Sequence, residues 1–260
     1  MQALRTAATG MAAQELNVEV ISNNIANLRT SGFKRQRAEF QDLLYVDLRQ
    51  VGSTTSAQNN MVPEGIQIGM GVRTGSTARI HTQGTVTATD KDFDVAVRGE
   101  GLFRITLPDG RTAYTRDGSF SLDGNGLLVT KDGYQVDQGI TIPTTAQTIT
   151  INTSGLVQIT NAAGENQDVG QLQLARFVNK SGLQSIGDNL FLETPASGSP
   201  QLNNPGTEGA GTVLQKYTED SNVNAVTEIS DLIAAQRAYE MNARVIRAAD
   251  EMLSNATLMR

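Results

Sequence analysis

The sequence predicts an α+β protein in which a β-rich, mostly antiparallel domain is inserted between two long terminal helices that pack together as a coiled coil. Near both ends of the chain, apolar residues recur at alternating spacings of three and four, which is typical of coiled-coil helices. Between residues 72 and 215 the apolar spacing changes to two, and turn residues recur at short intervals, as in antiparallel hairpins. The predicted divisions are a terminal helical domain (1–30 and 224–260), an extended linker (31–71), a β-rich outer domain (72–215) and a return linker (216–223).

The C-terminal helix, predicted from residue 224 to residue 259, carries two neighbouring apolar stripes. The first stripe consists of Leu232, Ala235, Tyr239, Asn242, Ile246, Ala249, Leu253 and Ala256. The second stripe consists of Ala234, Ala238, Met241, Val245, Ala248, Met252 and Met259. Two such stripes present more apolar surface than a single partner helix covers. We therefore predict that this helix contacts several neighbouring helices.

The N-terminal helix carries one stripe of the same spacing. It consists of Leu4, Ala7, Met11, Gln14, Val18, Ile21, Ile25 and Leu28. Together with the C-terminal stripes, it forms the predicted self-assembly seam. An ordinary two-helix cap on a globular core is the alternative interpretation. Because isolated helices of this kind are marginally stable, we expect termini that are loose in the monomer and become ordered when copies pack together.

Composition narrows the class of protein. The chain has 260 residues, with 21 Lys and Arg against 27 Asp and Glu, and a net charge of −6. This acidic balance argues against nucleic-acid binding, which needs a positive surface. Cysteine is absent, so disulfides and thiolate chemistry are excluded. No apolar run of membrane-spanning length occurs, and the first residues do not resemble a cleaved signal peptide, so we expect neither membrane insertion nor such a peptide.

Turn signals place the hairpins of the β-rich domain. Pro108-Asp109-Gly110, Asp123-Gly124-Asn125-Gly126 and Asn152-Thr153-Ser154-Gly155 each lie between short apolar runs. Residues 46–64 are polar and contain few large apolar residues, which is typical of a flexible loop. In a rod-like assembly, such an excursion could reach a neighbouring subunit and stiffen the structure.

The residue types that usually carry catalysis do not form a recognisable pattern. His81 is the only histidine, and we expect it on the surface or in a strand. Asp90, Asp92 and Asp94 resemble the start of a calcium loop, but the glycine and the bidentate glutamate of such a loop are missing. The neighbouring Glu219 and Asp220 have no apolar setting in the sequence that would raise a pKa. We therefore predict no enzyme activity, no cofactor and no metal.

Several motifs together resemble a known family. Asn23-Asn24-Ile25-Ala26-Asn27 is followed by Gly32-Phe33-Lys34, and matching stretches recur at 94–103, 114–120, 221–224 and 236–240. This pattern is similar to that of the flagellar basal-body rod and hook family. Its signature residues here are Asn23, Asn24, Asn27, Gly32, Phe33 and Lys34. Chain length, the excursion at 46–64 and the stretch 67–73 favour the distal-rod branch over the hook branch.

The resemblance implies a structural subunit of a hollow, rigid drive shaft that crosses the periplasm to the outer membrane and transmits torque to the hook. The implied partners are further copies in a helical polymer, the proximal rod, the hook and the basal-body ring proteins, and the implied route is type III export. Another flagellar axial protein, of the proximal-rod or hook type, and a secreted β-rich fibre or binding module are the alternatives. A trimeric fibre needs only one stripe per helix, so the two C-terminal stripes favour the axial protein.

Overall fold

The computed structural model describes residues 2–49, 64–137, 139–144, 146–161 and 164–258. Contacts divide the chain into two compact units, each built from separated parts of the sequence. The first, here called the helical unit, comprises residues 1–25, 36–78 and 224–260. The second, the β unit, comprises residues 26–35 and 79–223.

Two long helices and two small sheets form the helical unit. The helices are α1 (Gln2–Ala26) and α2 (Ala225–Leu258), and the strands are β1 (Gln36–Asp42), β2 (Tyr45–Arg49), β3 (Ile66–Gly69) and β4 (Val72–Arg79). Strand β1 pairs with β4, and β2 pairs antiparallel with β3. No helix in the described part of the chain has the length and apolar character that crossing a membrane requires.

The two helices run antiparallel to each other. A Cβ atom placed on Gly10 of α1 would lie 2.8 Å from Asn242 Nδ2 of α2. Further along α1, Asn24 Nδ2 donates to Glu228 Oε2 at 3.1 Å. The two contacts are separated by the same number of residues on each helix, in opposite chain directions. Gly10 therefore allows a close approach of the helices, as its small size predicts.

Helix α2 begins at a side-chain cap. Asn224 Oδ1 accepts hydrogen bonds from Val226 N at 3.0 Å and from Thr227 N at 3.3 Å. These are amide groups that have no partner within the helix itself. The cap fixes the start of α2 within one residue of the predicted position.

The β unit contains sixteen short strands. They are β5 (Val86–Ala88), β6 (Val95–Arg98), β7 (Leu102–Thr106), β8 (Thr112–Thr115), β9 (Ser121–Leu122), β10 (Leu128–Val129), β11 (Gln135–Val136), β12 (Ala146–Ile151), β13 (Leu156–Asn161), β14 (Asn166–Gln171), β15 (Leu174–Arg176), β16 (Gln184–Gly187), β17 (Leu190–Leu192), β18 (Gln201–Asn203), β19 (Thr212–Gln215) and β20 (Tyr217–Glu219).

Antiparallel pairing organises these strands into one large sheet and several small ones. The nine-stranded sheet has the order β16-β17-β8-β7-β11-β10-β9, and β15 joins it by pairing with both β7 and β18. Strands β12, β13 and β14 form a three-stranded sheet, while β19 pairs with β6 and β20 with β5. The returning chain, 212–219, is thus tied to the beginning of the β unit by two strand pairs.

The core of the β unit lies between these sheets. Its most buried apolar residues include Val95, Val97, Phe103, Ile105, Leu128, Leu172, Leu174 and Val213. The rings of Phe103 and Phe120 meet edge to face, with centroids 5.1 Å apart. Each fully buried apolar side chain of this size contributes about 1.5–3 kcal/mol. The β unit therefore has a hydrophobic core of its own.

The predicted α+β class, with a helix at each end of the chain and a β-rich antiparallel middle, is confirmed, and so are the predicted hairpins. Strands β7 and β8 flank Pro108-Asp109-Gly110, with Phe103 opposite Thr115, and β12 and β13 flank the turn at 152–155, with Ile151 opposite Val157. Strands β9 and β10 also form the expected pair. Helix α1 ends at Ala26, four residues before the predicted limit of the N-terminal helical segment.

The polar excursion at 46–64 lies largely outside the described residues. Its first residues, up to Arg49, belong to β2, in which Arg49 is the register partner of Ile66 in β3. The described strands on either side of the excursion are therefore neighbours in one antiparallel ladder.

We predict that Gly118→Ala strongly destabilises the β unit. A Cβ at Gly118 would overlap the carbonyl oxygen of Val95 and would lie 3.0 Å from Phe103 Cε2. The backbone must move to relieve this overlap, so we expect a loss of about 3 kcal/mol in the free energy of unfolding, measured by chemical denaturation. Gly124→Ala is the matched control, because no atom lies within 4 Å of its added Cβ. Equal stability of the two variants would contradict this packing.

The buried charge cluster and the candidate assembly surface

One acidic side chain and two basic side chains form a buried cluster in the β unit. Glu219 at the end of β20 is 1% exposed, Lys34 is 4% exposed and Arg116 is 6% exposed at the side chain. Arg116 Nε donates to Glu219 Oε2 at 2.6 Å, and Lys34 Nζ donates to Glu219 Oε1. The cluster joins three segments that are far apart in the sequence.

Backbone groups complete the hydrogen bonding of the cluster. Gly84 N donates to Glu219 Oε1 at 2.9 Å, and Lys34 Nζ donates to Thr82 O at the same distance. Arg116 also donates to backbone carbonyls. Its Nη2 atom lies 2.9 Å from Val97 O and 2.7 Å from Gly99 O. Burial of three charges is tolerated only where their hydrogen-bonding capacity is satisfied in this way.

The environment shifts the pKa values of the cluster. Burial acts to raise the pKa of Glu219, but the charges and hydrogen bonds of Arg116 and Lys34 outweigh it and hold that pKa below its usual range. Burial lowers the pKa of Lys34, and the Glu219 carboxylate only partly offsets this. Glu219 is thus the ionised centre of the cluster.

The signature residues after α1 are held in the same region. Gly32 has φ +70°, and its N–H donates to Glu219 O at 2.8 Å. A Cβ at Gly32 would lie 2.6 Å from Asp117 N, so only glycine fits this position. Asn222 Oδ1 accepts from Arg35 N at 2.7 Å, and Asn222 Nδ2 donates to Ile80 O at 2.8 Å. Segments that precede α2 and follow α1 are therefore hydrogen-bonded together.

Within the helical unit, the side chain of Asn24 likewise forms hydrogen bonds to distant segments. It is 1% exposed, its Oδ1 accepts from Gln36 N at 2.9 Å, and its Nδ2 donates to Gln36 O at 2.8 Å. The side-chain amide therefore bonds β1 as a neighbouring strand would. Its further bond to Glu228 connects the last turns of α1 to the first turn of α2. Of the other signature residues, Asn23 is exposed and Asn27 and Phe33 are half-buried.

The predicted stripe on α1 is covered unevenly. Ala7 and Ile21 are buried, whereas Leu4, Met11, Val18 and Ile25 on the helix and Leu28 beyond its end are half-buried. Ala13, Val20 and Asn24, which lie outside the stripe, are also buried. The face of α1 with the greatest burial is thus rotated from the predicted stripe toward its small and polar residues.

On α2, the two predicted stripes have different surroundings. In the first stripe Ala235 and Ala249 are buried, Leu232, Asn242 and Ile246 are half-buried, and Tyr239 and Leu253 are exposed. In the second stripe Met241 is 59% exposed, Val245 47% and Met252 66%. A single chain therefore leaves a row of large apolar side chains on α2 in contact with solvent, which is unusual unless the surface binds something.

The expected position of His81 was wrong, and the burial of Glu219 was not predicted. Glu219 has a buried setting, which the sequence hides because its cationic partners come from distant segments. His81 is half-buried and lies just after β4 rather than in a strand. Neither Arg116 nor Glu219 was predicted as a key residue. The only local signal was that Arg116 falls within one of the family-like stretches and Glu219 lies directly before another.

A fold with its own β core, and with paired terminal helices that leave an apolar row exposed, is typical of a structural subunit that assembles through its ends. Three family descriptions match the sequence. They are "Flagella basal body rod protein" over residues 4–34, "Flagellar hook protein FlgE/F/G D1 domain" over 96–159 and "Flagellar basal body rod FlgEFG protein C-terminal" over 214–259.

Curated relatives match over nearly the whole chain. The flagellar basal-body rod protein FlgG of Caulobacter vibrioides is 59% identical, with 100% of both chains covered. FlgG of Agrobacterium fabrum is 54% identical over 98% of this chain and 97% of its own length. FlgG of Bacillus subtilis is 38% identical over 97% of both chains. The chain belongs to the flagellar basal-body rod protein family, and it is a structural subunit of the flagellar rod.

We predict that Glu219→Gln destabilises the protein by about 3–5 kcal/mol at neutral pH, because Lys34 and Arg116 would stay buried without their counter-charge. The folded-state pKa of Glu219 is depressed, so its stabilisation is present above the ordinary pKa of 4.5 and is lost as pH falls through the lower folded value. When the free energy of unfolding is measured against pH, the variant should therefore not show the loss of stability on acidification that Glu219 causes in the wild type.

Glu39→Gln is the control for this experiment, because Glu39 forms an exposed ion pair with Arg37. Its stability should equal that of the wild type at neutral pH. A Glu219→Gln protein with wild-type stability would show that the cluster does not hold the segments together.

Proposed function

We propose that the chain is the subunit of the distal rod, the hollow, rigid drive shaft that transmits torque to the hook. The observation that carries this proposal is the exposed apolar row Met241, Val245 and Met252 on α2. Together with the first stripe, of which Tyr239 and Leu253 are also exposed, it gives the helix two apolar faces that one chain covers only in part. The names of the relatives with high identity, basal-body rod protein FlgG, support the same assignment.

The terminal helices of neighbouring copies would complete the burial. In the proposed polymer, α1 and α2 pack in coiled-coil fashion with the helices of adjacent subunits and line the inner tube. Covering Met241, Val245 and Met252 would contribute about 1.5–3 kcal/mol for each side chain that becomes fully buried. Because each subunit contacts copies through different surfaces, the contacts propagate as an open helix and do not close into a ring.

The proposed domain organisation follows from this packing. Residues 1–30 and 224–260 form the inner tube, and 72–215 form the outer domain. Residues 31–71 form a linker that carries the polar excursion, and 216–223 return the chain to α2. The pairing of β2 with β3 holds the two ends of the excursion side by side in one ladder.

The proposed partners are the proximal rod, the hook and the ring proteins, with the polymer extending from the periplasm to the outer membrane after export without a cleaved signal peptide. The role is mechanical, with no catalytic step.

A proximal-rod or hook-type axial protein is the second candidate, favoured by the 30% identity to the hook-basal body complex protein FlhP of Bacillus subtilis. Electron microscopy of filaments formed by the purified protein tests both, since a straight tube supports the distal rod and a curved one supports the hook.

We predict that Val245→Asp abolishes polymerisation and leaves the monomer folded. Val245 is exposed in the single chain, so an aspartate there costs little until a neighbouring copy covers it; the buried charge would then be unpaired. Filaments counted by electron microscopy, together with far-UV circular dichroism of the monomer, measure both effects. The matched control is Ser254→Asp, an exposed polar site outside both stripes. Normal filaments from Val245→Asp would refute the assembly surface.

We predict that replacing residues 50–65 by Asn-Gly gives polymers that are curved. Arg49 and Ile66 are register partners, so a two-residue turn should preserve the β2–β3 ladder while removing the excursion. The control is a chain of the original length in which 51–63 become Gly and Ser residues. Straight filaments from the shortened chain, at the same protein concentration, would exclude the excursion as the source of stiffness.

A further inference from the structure

A small cavity in the β unit is lined by an unusual concentration of basic groups. It has a volume of about 100 Å³, and Lys34, His81, Glu100, Arg116, Arg176 and Lys180 lie on its wall. Four of these side chains are cationic at neutral pH, whereas the whole chain carries a net charge of −6. Glu100 is engaged by Lys180, and Glu219 is shared by Lys34 and Arg116. The wall of the cavity is therefore more positive than its own carboxylates neutralise.

His81 is fixed in orientation at this wall. Its ring lies 6.2 Å from the ring of Phe191 in an edge arrangement, and Arg79 Cζ lies 4.8 Å from the centre of the same ring. Phe191 is itself buried in β17, so it gives both side chains a rigid support. The Nε2 atom of His81 is buried, and no group in the described ranges accepts from it or donates to it.

The surrounding charges act strongly on His81. Burial, together with the positive charges of Arg79, Lys180, Lys34 and Arg116, lowers its pKa to about 4. Burial also lowers the pKa of Lys180. The shift of Lys180 reflects loss of water alone, whereas the contributions of the four cations to the His81 shift show that an additional positive charge is unfavourable at this site.

Several donors remain for a ligand. The Lys34 ammonium has three hydrogens, of which Thr82 O and Glu219 Oε1 take two. Lys180 uses one of its three ammonium hydrogens to bond Glu100. Among the described residues, Arg176 donates from Nη1 to Glu208 O. Arg116, which uses four of its five N–H groups in bonds to Glu219, Gly101, Val97 and Gly99, contributes mainly charge. Lys34, Lys180 and His81 therefore provide donors of differing direction around one small volume.

We propose that this cavity is a binding site for a single oxyanion group, such as a carboxylate or sulfate. A volume of about 100 Å³ accommodates a group of that size. Ordered water would also fit and would satisfy His81 Nε2, yet it would leave the excess positive charge uncompensated. An oxyanion satisfies both requirements, since it accepts charge-assisted hydrogen bonds from several donors at once. The oxyanion could be a free ion or a carboxylate of a second copy.

The single histidine makes the site directly measurable. Sodium sulfate is titrated into the purified full-length monomer at pH 7 with ¹³C/¹⁵N-labelled histidine, against sodium chloride of equal ionic strength. We expect a saturable shift of the His81 ring signals with a dissociation constant on the order of 1–10 mM. We also expect sulfate to raise the pKa of His81 by about one or more, because the anion favours the imidazolium. Equal responses to sulfate and chloride would overturn the proposal and identify a water-filled cavity.

A matched pair of variants locates the effect. Lys180→Gln removes a cavity donor and should weaken sulfate binding at least fivefold. Lys131→Gln removes another ion-paired lysine of the β unit, one that pairs with Asp117 and does not line the cavity, so it should bind sulfate as the wild type does. Equal weakening by both variants would show a non-specific charge effect and overturn the site.

A second experiment, on filaments of the protein, distinguishes the source of the oxyanion and is independent of the sulfate titration. If a carboxylate of a second copy fills the cavity, His81 signals in sulfate-free filaments should shift as they do in the sulfate-bound monomer. Sulfate should then slow filament growth more than chloride does. If only free sulfate produces the shift, the site binds a small anion. Failure of the chain to polymerise would count against the proposed rod function without affecting the sulfate result.

Discussion

The arrangement of the β unit depends on the burial of the Glu219 carboxylate between Lys34 and Arg116. These partners are 185 and 103 residues away in sequence, so closing the cluster joins three segments that no local turn could bring together. A carboxylate removed from water costs several kcal/mol unless both cations and the backbone donors are in place. Partial assembly of the cluster is therefore unfavourable, and the segments at residues 34, 116 and 219 should become ordered together. Charge burial here specifies the chain path more than it adds net stability.

The same pairing of chain beginning with chain end recurs within the helical unit. Asn24 bonds Glu228 between α1 and α2, as Lys34 bonds Glu219 in the β unit. In each case a side chain from the N-terminal segment meets an acidic residue near the start of α2. Because Asn24 also bonds both backbone groups of Gln36, the end of α1 is defined by a side chain rather than by the sequence preference of the helix. This explains why α1 ends at Ala26, although apolar periodicity continues to Leu28.

The sequence allowed the helices, the hairpins and the family to be predicted, because each leaves a local pattern. The turn at 108–110 and the cap at Asn224 are examples in which a few neighbouring residues determine the backbone. The order of strands in the nine-stranded sheet and the charge cluster could not be predicted, since they depend on pairings between residues far apart in the chain. Glu219 shows this most clearly. Its neighbours in sequence are polar, and its burial comes from Lys34, Arg116 and the Gly84 amide, none of which lies near it in the chain.

The two units differ in what a single chain can complete. The β unit buries Phe103, Ile105 and Leu174 completely and pairs the buried Glu219 carboxylate internally, so its folding does not require a second copy. The helical unit buries mainly small residues of α2, Ala235 and Ala249, and leaves large ones such as Met252 in solvent. Since burial of apolar area scales with side-chain size, most of the available stabilisation of α2 is still unused in the monomer. Assembly would therefore stabilise the helices far more than the β unit, and subunit concentration would control the order of the chain ends without altering the β unit that they flank.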